Sequence, residues 1–231
     1  MASITLIRHG QASFGKADYD QLSELGYEQA RHLGTVLCER EEPVDTVFIG
    51  AMKRHRQTAE ACLETAGLSA LPLTVLPGFN EFNHEQVIER YEPRYRDRDW
   101  LMAEMAKHAN PGELFGQMFR QAIARWTGGA HDSDYDESWR HFQQRSRSAL
   151  DDALNALLPR GRALVFTSGG CISVISQGLL GLSDDATFRV NLTLANAGLS
   201  RISQGSSQRN LISLNEHSHF SGRHRDLLTY R

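Results

Sequence analysis

Three residues of this chain, Arg8, His9 and Arg54, have side-chain types and spacing that suit chemistry on a phosphoryl group. Arg8 and His9 directly follow a short apolar run, and Arg54 lies just beyond a second run that is β-branched and aromatic. Arginines at two neighbouring strand ends can converge on one anion, and a planar guanidinium donates to phosphate in bidentate fashion. A neutral imidazole between them can attack phosphorus while the arginines stabilise charge on its oxygens. Arg-His-Gly alone is equally typical of a basic turn, so the hypothesis depends on Arg54.

The elements that must position these residues alternate between strands and helices. Apolar runs predict strands at 4–7, 46–49, 73–76, 163–166, 198–203 and 211–214. Helical spacing and capping residues predict helices at 24–37, 54–66 and 171–180. This alternation predicts βαβ units and a mainly parallel sheet. Ligands of open α/β sheets bind at the carboxyl edge of the strands, where we expect Arg8 and His9.

The stretch from about 84 to 158 has a different pattern. It has little strand signal and much helical periodicity, with breaks near 110–112 and 128–129. We therefore predict that residues 1–231 form a single α/β domain, a three-layer α/β/α sandwich, with a helical insertion at about 84–158.

The tail after Asn215 is polar and rich in His and Arg, so we expect it to be partly mobile. Three of its histidines, His217, His219 and His224, could suggest a metal site, but no acidic partner stands at ligand spacing. A solvated tail is the favoured interpretation, and we predict no metal and no cofactor.

Composition limits the partners. The formal net charge is -3, which does not favour nucleic acid or a membrane surface. The 3 cysteines form no C-x-x-C pair, and the N-terminus has no signal-peptide pattern, so a cytoplasmic location is expected. The sequence leaves the oligomeric state open, a homodimer included.

Several motifs resemble those of the histidine phosphatase superfamily, the phosphoglycerate-mutase-like proteins. The run LIRHGQ at 6–11 is similar to the family's strand-end motif, and LSELG at 22–26, followed by Gln29-Ala30, is similar to its first helix. The run KRHRQTA at 53–59 is similar to its second arginine segment. The resemblance covers roughly 3–82 and 160–215, whereas the helical middle has no detailed match. It implies a phosphoglycerate-mutase-like fold.

The resemblance also implies roles for individual residues. His9 would be the nucleophile that becomes phosphorylated, and Arg8 and Arg54 would bind the phosphoryl group. The family has a carboxylic acid after its third strand as proton donor, and Glu81 holds that position. Like charge on a phosphate favours the protonated form of a nearby carboxyl group, which suits a general acid. Glu85 is a weaker candidate.

Two further candidates follow the nucleophile. Gln11 and Ser13 are expected to contact the phosphate or the rest of the substrate.

The chain departs from the family pattern at Ser168. The family has a second histidine at the end of a later apolar strand, and Ser168 stands there, followed by Gly169 and Gly170. A hydroxyl can donate one hydrogen bond to phosphate, and backbone amides at a helix N-terminus can add others. Serine cannot carry the positive charge of an imidazolium, so the pattern supports phosphate binding more firmly than efficient turnover. A histidine at this position would raise the rate if the site had room.

Two other nucleophiles are disfavoured. Cys171 begins a predicted helix, but cysteine phosphatase chemistry needs an arginine six residues on, where Gln177 stands. Ser168 lacks the glycine two residues earlier that a serine-hydrolase elbow needs, because Phe166 is there.

The function that the resemblance implies is metal-independent hydrolysis of a phosphate ester through a phosphohistidine on His9. The substrate would be a small-molecule phosphate ester or another phosphorylated compound. One alternative is a phosphoglycerate mutase, which the unmatched middle segment disfavours. Another is a weakly active or inactive protein that binds phosphate esters or has a regulatory role, because Ser168 stands where the family has its second histidine.

Overall fold

The structure, a computed structural model, describes residues 1–13, 20–107 and 110–230. Its strands are β1 (Ala2–Arg8), β2 (Thr46–Ile49), β3 (Leu73–Val75), β4 (Arg162–Thr167), β5 (Leu199–Gln204) and β6 (Arg209–Glu216). Its α-helices are α1 (Glu24–Arg40), α2 (Lys53–Thr65), α3 (His84–Tyr91), α4 (Arg98–Ala106), α5 (Pro111–Thr127), α6 (Trp139–Asn155), α7 (Gly169–Leu180) and α8 (Asp184–Thr193). Short 3-10 helices connect several of these elements.

The strands form one six-stranded sheet in the order β3-β2-β4-β1-β5-β6. The four strands from β3 to β1 are parallel to one another. At the other edge, β5 pairs antiparallel with β1, and β6 pairs antiparallel with β5. Because parallel strands end at the same edge of a sheet, the residues that follow β1, β2 and β4 lie side by side. The predicted α/β fold is thus confirmed, as a mixed sheet flanked by helices.

Alternation along the strands supplies two apolar faces. In β4, Ala163 and Val165 face one cluster, which includes Leu150 of α6 and Ile172 of α7. Leu164 and Phe166 face the opposite cluster, whose other members come partly from α1 and α2. Side chains of successive strand residues point to opposite faces, so a continuously apolar strand requires helices on both sides.

The chain divides into two compact units. One comprises Met1–Glu81 and Arg145–Arg231, and the other comprises Phe82–Gln144. The second unit has an aromatic cluster around Trp126, whose ring lies 4.8 Å from that of Phe82 and 5.2 Å from that of Trp139. That the whole chain is one domain with a helical insertion stays a prediction.

The tail differs from the sequence-based expectation. Phe220 is 2% exposed, and Leu227 and Leu228 pack against the same cluster as α1 and α2. These apolar residues are dispersed among His and Arg, so composition hides them, yet burying them stabilises the docked tail.

No α-helix in the described ranges is long and apolar enough to cross a membrane.

Candidate active site

His9 is the first residue beyond β1, and its backbone is fixed on both sides. Its N–H donates to the carbonyl oxygen of Thr167 at 2.9 Å, and Asn196 Nδ2 donates to its carbonyl oxygen at 3.2 Å. The residue is 5% exposed. The sheet edge therefore holds this side chain in one place with a small accessible surface.

The ring of His9 has a defined hydrogen position. Nδ1 lies 2.7 Å from the carbonyl oxygen of Gly10, which can only accept, so Nδ1 carries the hydrogen. Burial, together with the positive charges of Arg54 and Arg8, holds the pKa of His9 well below its usual value. The ring is therefore neutral at pH 7, with the lone pair on Nε2. This is the form of imidazole that can act as a nucleophile.

The loop after His9 packs closely against α1 at two glycines. A Cβ at Gly10 would lie 2.4 Å from the carbonyl oxygen of Gly26, and one at Gly26 would lie 2.2 Å from that of Gln11. The amide of Gly10 donates to Thr58 Oγ1 in α2 at 3.0 Å. This packing explains why both glycines stand in the motifs that the sequence singled out.

Arg54 lies in the first turn of α2 with its side chain only 4% exposed. Its Nη1 is 2.8 Å from Asp20 Oδ1, and Asp20 Oδ2 accepts from the amide of Lys53 at 2.9 Å. Asp20 thus caps the helix and orients the guanidinium at once. Sequence reasoning missed Asp20 because its contacts with α2 are remote in the chain.

Arg8 is held by two carbonyl oxygens from the second half of the chain. Its Nη1 donates to the carbonyl oxygens of Leu194 and, at 3.1 Å, of Tyr230. Gly169 lies beside it, since a Cβ at Gly169 would be 3.5 Å from Arg8 Nε. Backbone acceptors carry no side-chain signal, so the sequence could not indicate them.

A hydrogen-bond chain joins the tail to the loop after His9 through Gln29 of α1, which is fully buried. Gln29 Oε1 accepts from the amide of Gln11 at 2.8 Å, and its Nε2 donates to Thr229 Oγ1 at 2.8 Å. Thr229 Oγ1 donates in turn to Asn196 Oδ1 at 2.9 Å, and Asn196 donates to the carbonyl oxygen of His9. The tail is therefore part of the framework of the site.

Glu81 lies at the same edge of the sheet, beyond β3. Its Oε2 accepts from the amide of Gly170 at 3.0 Å, in the first turn of α7. Arg145 Nη1 supports the preceding loop by donating to the carbonyl oxygens of Gly78 and Asn80 at 2.9 Å. The amide of Gly170, which the sequence suggested for phosphate, is thus used by Glu81.

Ser168 directly follows β4 and is fully buried. Its Oγ lies 2.7 Å from Nε2 of His55, in α2. The rings of His55 and His9 are 5.8 Å apart between centroids. The sequence did not single out His55, because adjacent basic residues in KRHRQTA are typical of an exposed helix start.

Two of the remaining candidates, Gln11 and Ser13, form local hydrogen bonds. Gln11 Oε1 accepts from Ser23 Oγ at 2.8 Å, and Ser13 Oγ donates to the carbonyl oxygen of Leu22 at 2.9 Å. Their contact with substrate stays a prediction. Glu85 belongs to α3, in the other compact unit.

Cys171 has the properties of a core thiol. Burial, with the nearby charge of Glu81, raises its pKa to about 12, the opposite of an activated thiolate. Its Sγ donates to the carbonyl oxygen of Asn80 at 2.9 Å.

The site suits an anion rather than a cation. In the described part of the chain, no three His, Cys, Asp or Glu side chains converge as ligands for a metal ion. Two guanidinium groups, a neutral imidazole and one carboxyl group at a common sheet edge can bind a phosphoryl group, accept it and protonate a leaving oxygen.

Comparisons with known proteins identify the family. The sequence profile of the histidine phosphatase superfamily (branch 1) matches residues 4–132 and 90–217. A search of curated protein sequences finds no match.

Solved structures with a similar fold include three proteins that bind or process phosphorylated compounds by name. Phosphoglycerate mutase from Bacillus anthracis has a TM-score of 0.67 at 21% identity, covering 94% of this chain and 94% of that one. A mutant phosphoserine phosphatase from Entamoeba histolytica in complex with phosphoserine has a TM-score of 0.66 at 16% identity, covering 96% of this chain and 100% of that one. A mycobacterial glucosyl-3-phosphoglycerate phosphatase has a TM-score of 0.63 at 22% identity, covering 93% of this chain and 98% of that one. The fold and the matching profile, which spans most of the chain, show that the protein belongs to the histidine phosphatase superfamily (branch 1).

Proposed function

We propose that this protein is a metal-independent phosphatase that hydrolyses a phosphate ester through a phosphohistidine on His9. One observation carries the proposal: the Gly10 carbonyl fixes the hydrogen of His9 on Nδ1, so Nε2 is an unprotonated nucleophile close to Arg54 and Arg8. The family of this chain supports it, as do solved structures of similar fold that are named as phosphatases.

In the first step, Nε2 of His9 attacks phosphorus and the bond from phosphorus to the ester oxygen breaks. The leaving oxygen takes the proton of Glu81. Arg8 and Arg54 stabilise the charge that spreads over the three remaining oxygens. The ring gains positive charge as the N–P bond forms, and the Gly10 carbonyl stabilises it because the hydrogen bond from Nδ1 strengthens.

In the second step, water attacks phosphorus on the phosphohistidine. The carboxylate of Glu81 takes a proton from that water, and the N–P bond breaks. Inorganic phosphate leaves, His9 regains its lone pair, and Glu81 is again protonated. The same carboxyl group serves as acid and then as base, so no metal-bound hydroxide is needed.

The stereochemical course at phosphorus tests this sequence of steps. A phosphorothioate ester made chiral at phosphorus with two oxygen isotopes, hydrolysed in water that carries the third, should yield inorganic thiophosphate with net retention of configuration, because each of two in-line displacements inverts it. Net inversion would mean direct attack by water and would contradict the proposal. Chelator should leave the rate unchanged, and vanadate should inhibit.

The choice between phosphatase and mutase can be tested with the same preparation. A phosphatase gives one inorganic phosphate for each alcohol released. Transfer of the phosphoryl group to a second hydroxyl, with little free phosphate, would indicate a mutase. Tight binding of phosphate esters with no turnover would indicate a regulatory protein.

A further inference from the structure

His55 is a buried imidazole that the proposed reaction does not use. It follows Arg54 in the first turn of α2 and is fully buried. Its Nε2 lies 2.7 Å from Ser168 Oγ, and its ring is 5.8 Å from that of His9. The imidazole therefore fills the space beside the residue at which the chain departs from the family pattern.

The end of β2 is shaped for this ring. A Cβ at Gly50 would lie 2.3 Å from His55 Nδ1 and 2.8 Å from Cε1, so only glycine leaves room for it. β4 pairs with both β1 and β2, which places Ser168 between the strand that leads to His9 and the strand that leads to Gly50. The packing and the sheet order both direct His55 towards Ser168.

The hydrogen on His55 can be assigned from its surroundings. Its Nδ1 has no hydrogen-bond partner among the residues that the structure describes. A buried N–H without an acceptor costs more than a buried lone pair without a donor, so the hydrogen belongs on Nε2. Burial, with the charge of Arg54, keeps the pKa of His55 well below its usual value, so the ring carries this hydrogen alone. Nε2 therefore donates to Ser168 Oγ, and the hydroxyl hydrogen of Ser168 is directed elsewhere.

We propose that His55 and Ser168 act as a pair in place of the second histidine of the family pattern: His55 donates to Ser168, and Ser168 donates to a phosphoryl oxygen. The inference rests on the proposed function of His9. Ser168 contacts the phosphoryl group, and His55 is a positioning residue that acts through it. A hydroxyl that accepts from an imidazole is polarised and becomes a stronger donor than an isolated one.

The pair changes the expectation for a histidine at position 168. The sequence alone suggests that Ser168→His would raise the rate if the site had room. His55 occupies the adjacent space, so the single substitution overpacks the site. Only the exchange of both residues, His55→Ala with Ser168→His, provides an imidazole and the space for it.

The experiment compares five variants with wild type in phosphate-ester hydrolysis and in vanadate binding. Ser168→Ala should lower kcat by about a hundredfold, as expected for one lost donor to a transferring group. His55→Leu, which keeps the volume and removes the donor, should lower kcat by about tenfold or more. The double variant His55→Leu with Ser168→Ala should be no slower than Ser168→Ala, because His55 acts only through the hydroxyl that Ser168→Ala has already removed. The exchange variant should recover most of the loss, whereas Ser168→His alone should not.

Two measurements keep the result independent of folding and of the proposed function. Circular dichroism and thermal unfolding report whether each variant folds. A sixth, conservative variant, His55→Gln, has a side-chain amide that can still donate, so it should retain more activity than His55→Leu. Wild-type kcat in His55→Leu, or losses that multiply in the double variant, would overturn the pairing. An exchange variant no better than Ser168→Ala would overturn it as well. If wild type itself forms no phosphohistidine, the proposed function fails first, and the vanadate affinities still test the pair.

Discussion

The guanidinium of Arg8 donates to the backbone carbonyl oxygen of Tyr230, across 222 positions of sequence. A residue at the end of the first strand is therefore held in part by the tail. The tail is in turn fixed by Thr229, which hydrogen-bonds with Gln29 and Asn196. Through these contacts the last residues of the described chain help to position the guanidinium of Arg8.

Thr229→Val should weaken phosphate binding. The substitution keeps the side-chain shape but removes both hydrogen bonds, leaving polar groups of buried Gln29 and Asn196 unsatisfied, which costs about 1–3 kcal/mol for each group. Vanadate affinity and Tm should both fall. Thr35→Val is the matched control, because Thr35 is exposed and its hydroxyl donates to the carbonyl oxygen of Arg31 within α1. Equal behaviour of the two variants would show that the tail does not support the site.

Gly26→Ala should damage the site more than its size suggests. The added methyl would lie 2.2 Å from the carbonyl oxygen of Gln11, so the loop after His9 must move. Overpacking of this kind costs about 1–3 kcal/mol, and the shift should reduce kcat strongly. Gly116→Ala in α5 is the control, since its nearest neighbour is a flexible arginine end at 3.4 Å. Unchanged kcat in Gly26→Ala would contradict the packing described for the loop.

Glu81→Gln should affect esters according to their leaving groups. A proton donor matters when the leaving oxygen is basic, so alkyl phosphates should slow by about a hundredfold or more and aryl phosphates much less. The amide can still accept from Gly170, so the fold should survive. Glu64→Gln, at an exposed position of α2, is the control and should leave both rates unchanged. Equal losses for both ester types in Glu81→Gln would indicate a structural role for Glu81.

Acid should destabilise the protein through its buried neutral histidines. The pKa values of His9 and His55 are lowered in the folded state, mainly by burial, so below pH 6.5 the unfolded chain binds protons that the folded chain excludes. The stability that comes from keeping these imidazoles neutral is complete above pH 6.5. It is lost as the pH falls towards their pKa values in the folded state, by up to about 1.4 kcal/mol per pH unit for each group. Urea unfolding between pH 7 and 5 measures the slope.

The change in unfolding free energy with pH should be smaller in His55→Leu than in wild type, because the variant lacks one of the two imidazoles that bind a proton only when the chain unfolds. His141→Leu, at an exposed position of α6, is the control and should keep the wild-type slope. A wild-type slope in His55→Leu would mean that His55 is not held neutral by burial.

The sheet and the helices around it could be predicted from the sequence because their signals are local. Each of the six predicted strands matches an observed strand to within two residues at either end. Apolar runs and caps such as Ser23, which accepts from the amide of Gly26, carry that information. The helix α8 was missed although Ser183 caps it, because its mixed composition has little apolar periodicity.

The partners of the candidate site residues could not be predicted because they are contacts between remote segments. Asp20 and Tyr230 reach the arginines across long sequence separations, and Tyr230 does so through its backbone. His55 and Ser168 are 113 positions apart, and no local pattern in the sequence indicates that they pair. Only the order of the strands, with β4 between β1 and β2, brings the two residues together.

The most direct test of the account is to find where the phosphoryl group resides during turnover. Wild type mixed with an aryl phosphate and quenched in alkali, where phosphohistidine survives, should yield a phosphorylated peptide that contains His9. The group should be absent in His9→Ala, which should fold as wild type does and lack phosphatase activity. A phosphorylated peptide without His9, or undiminished hydrolysis by His9→Ala, would contradict the central claim.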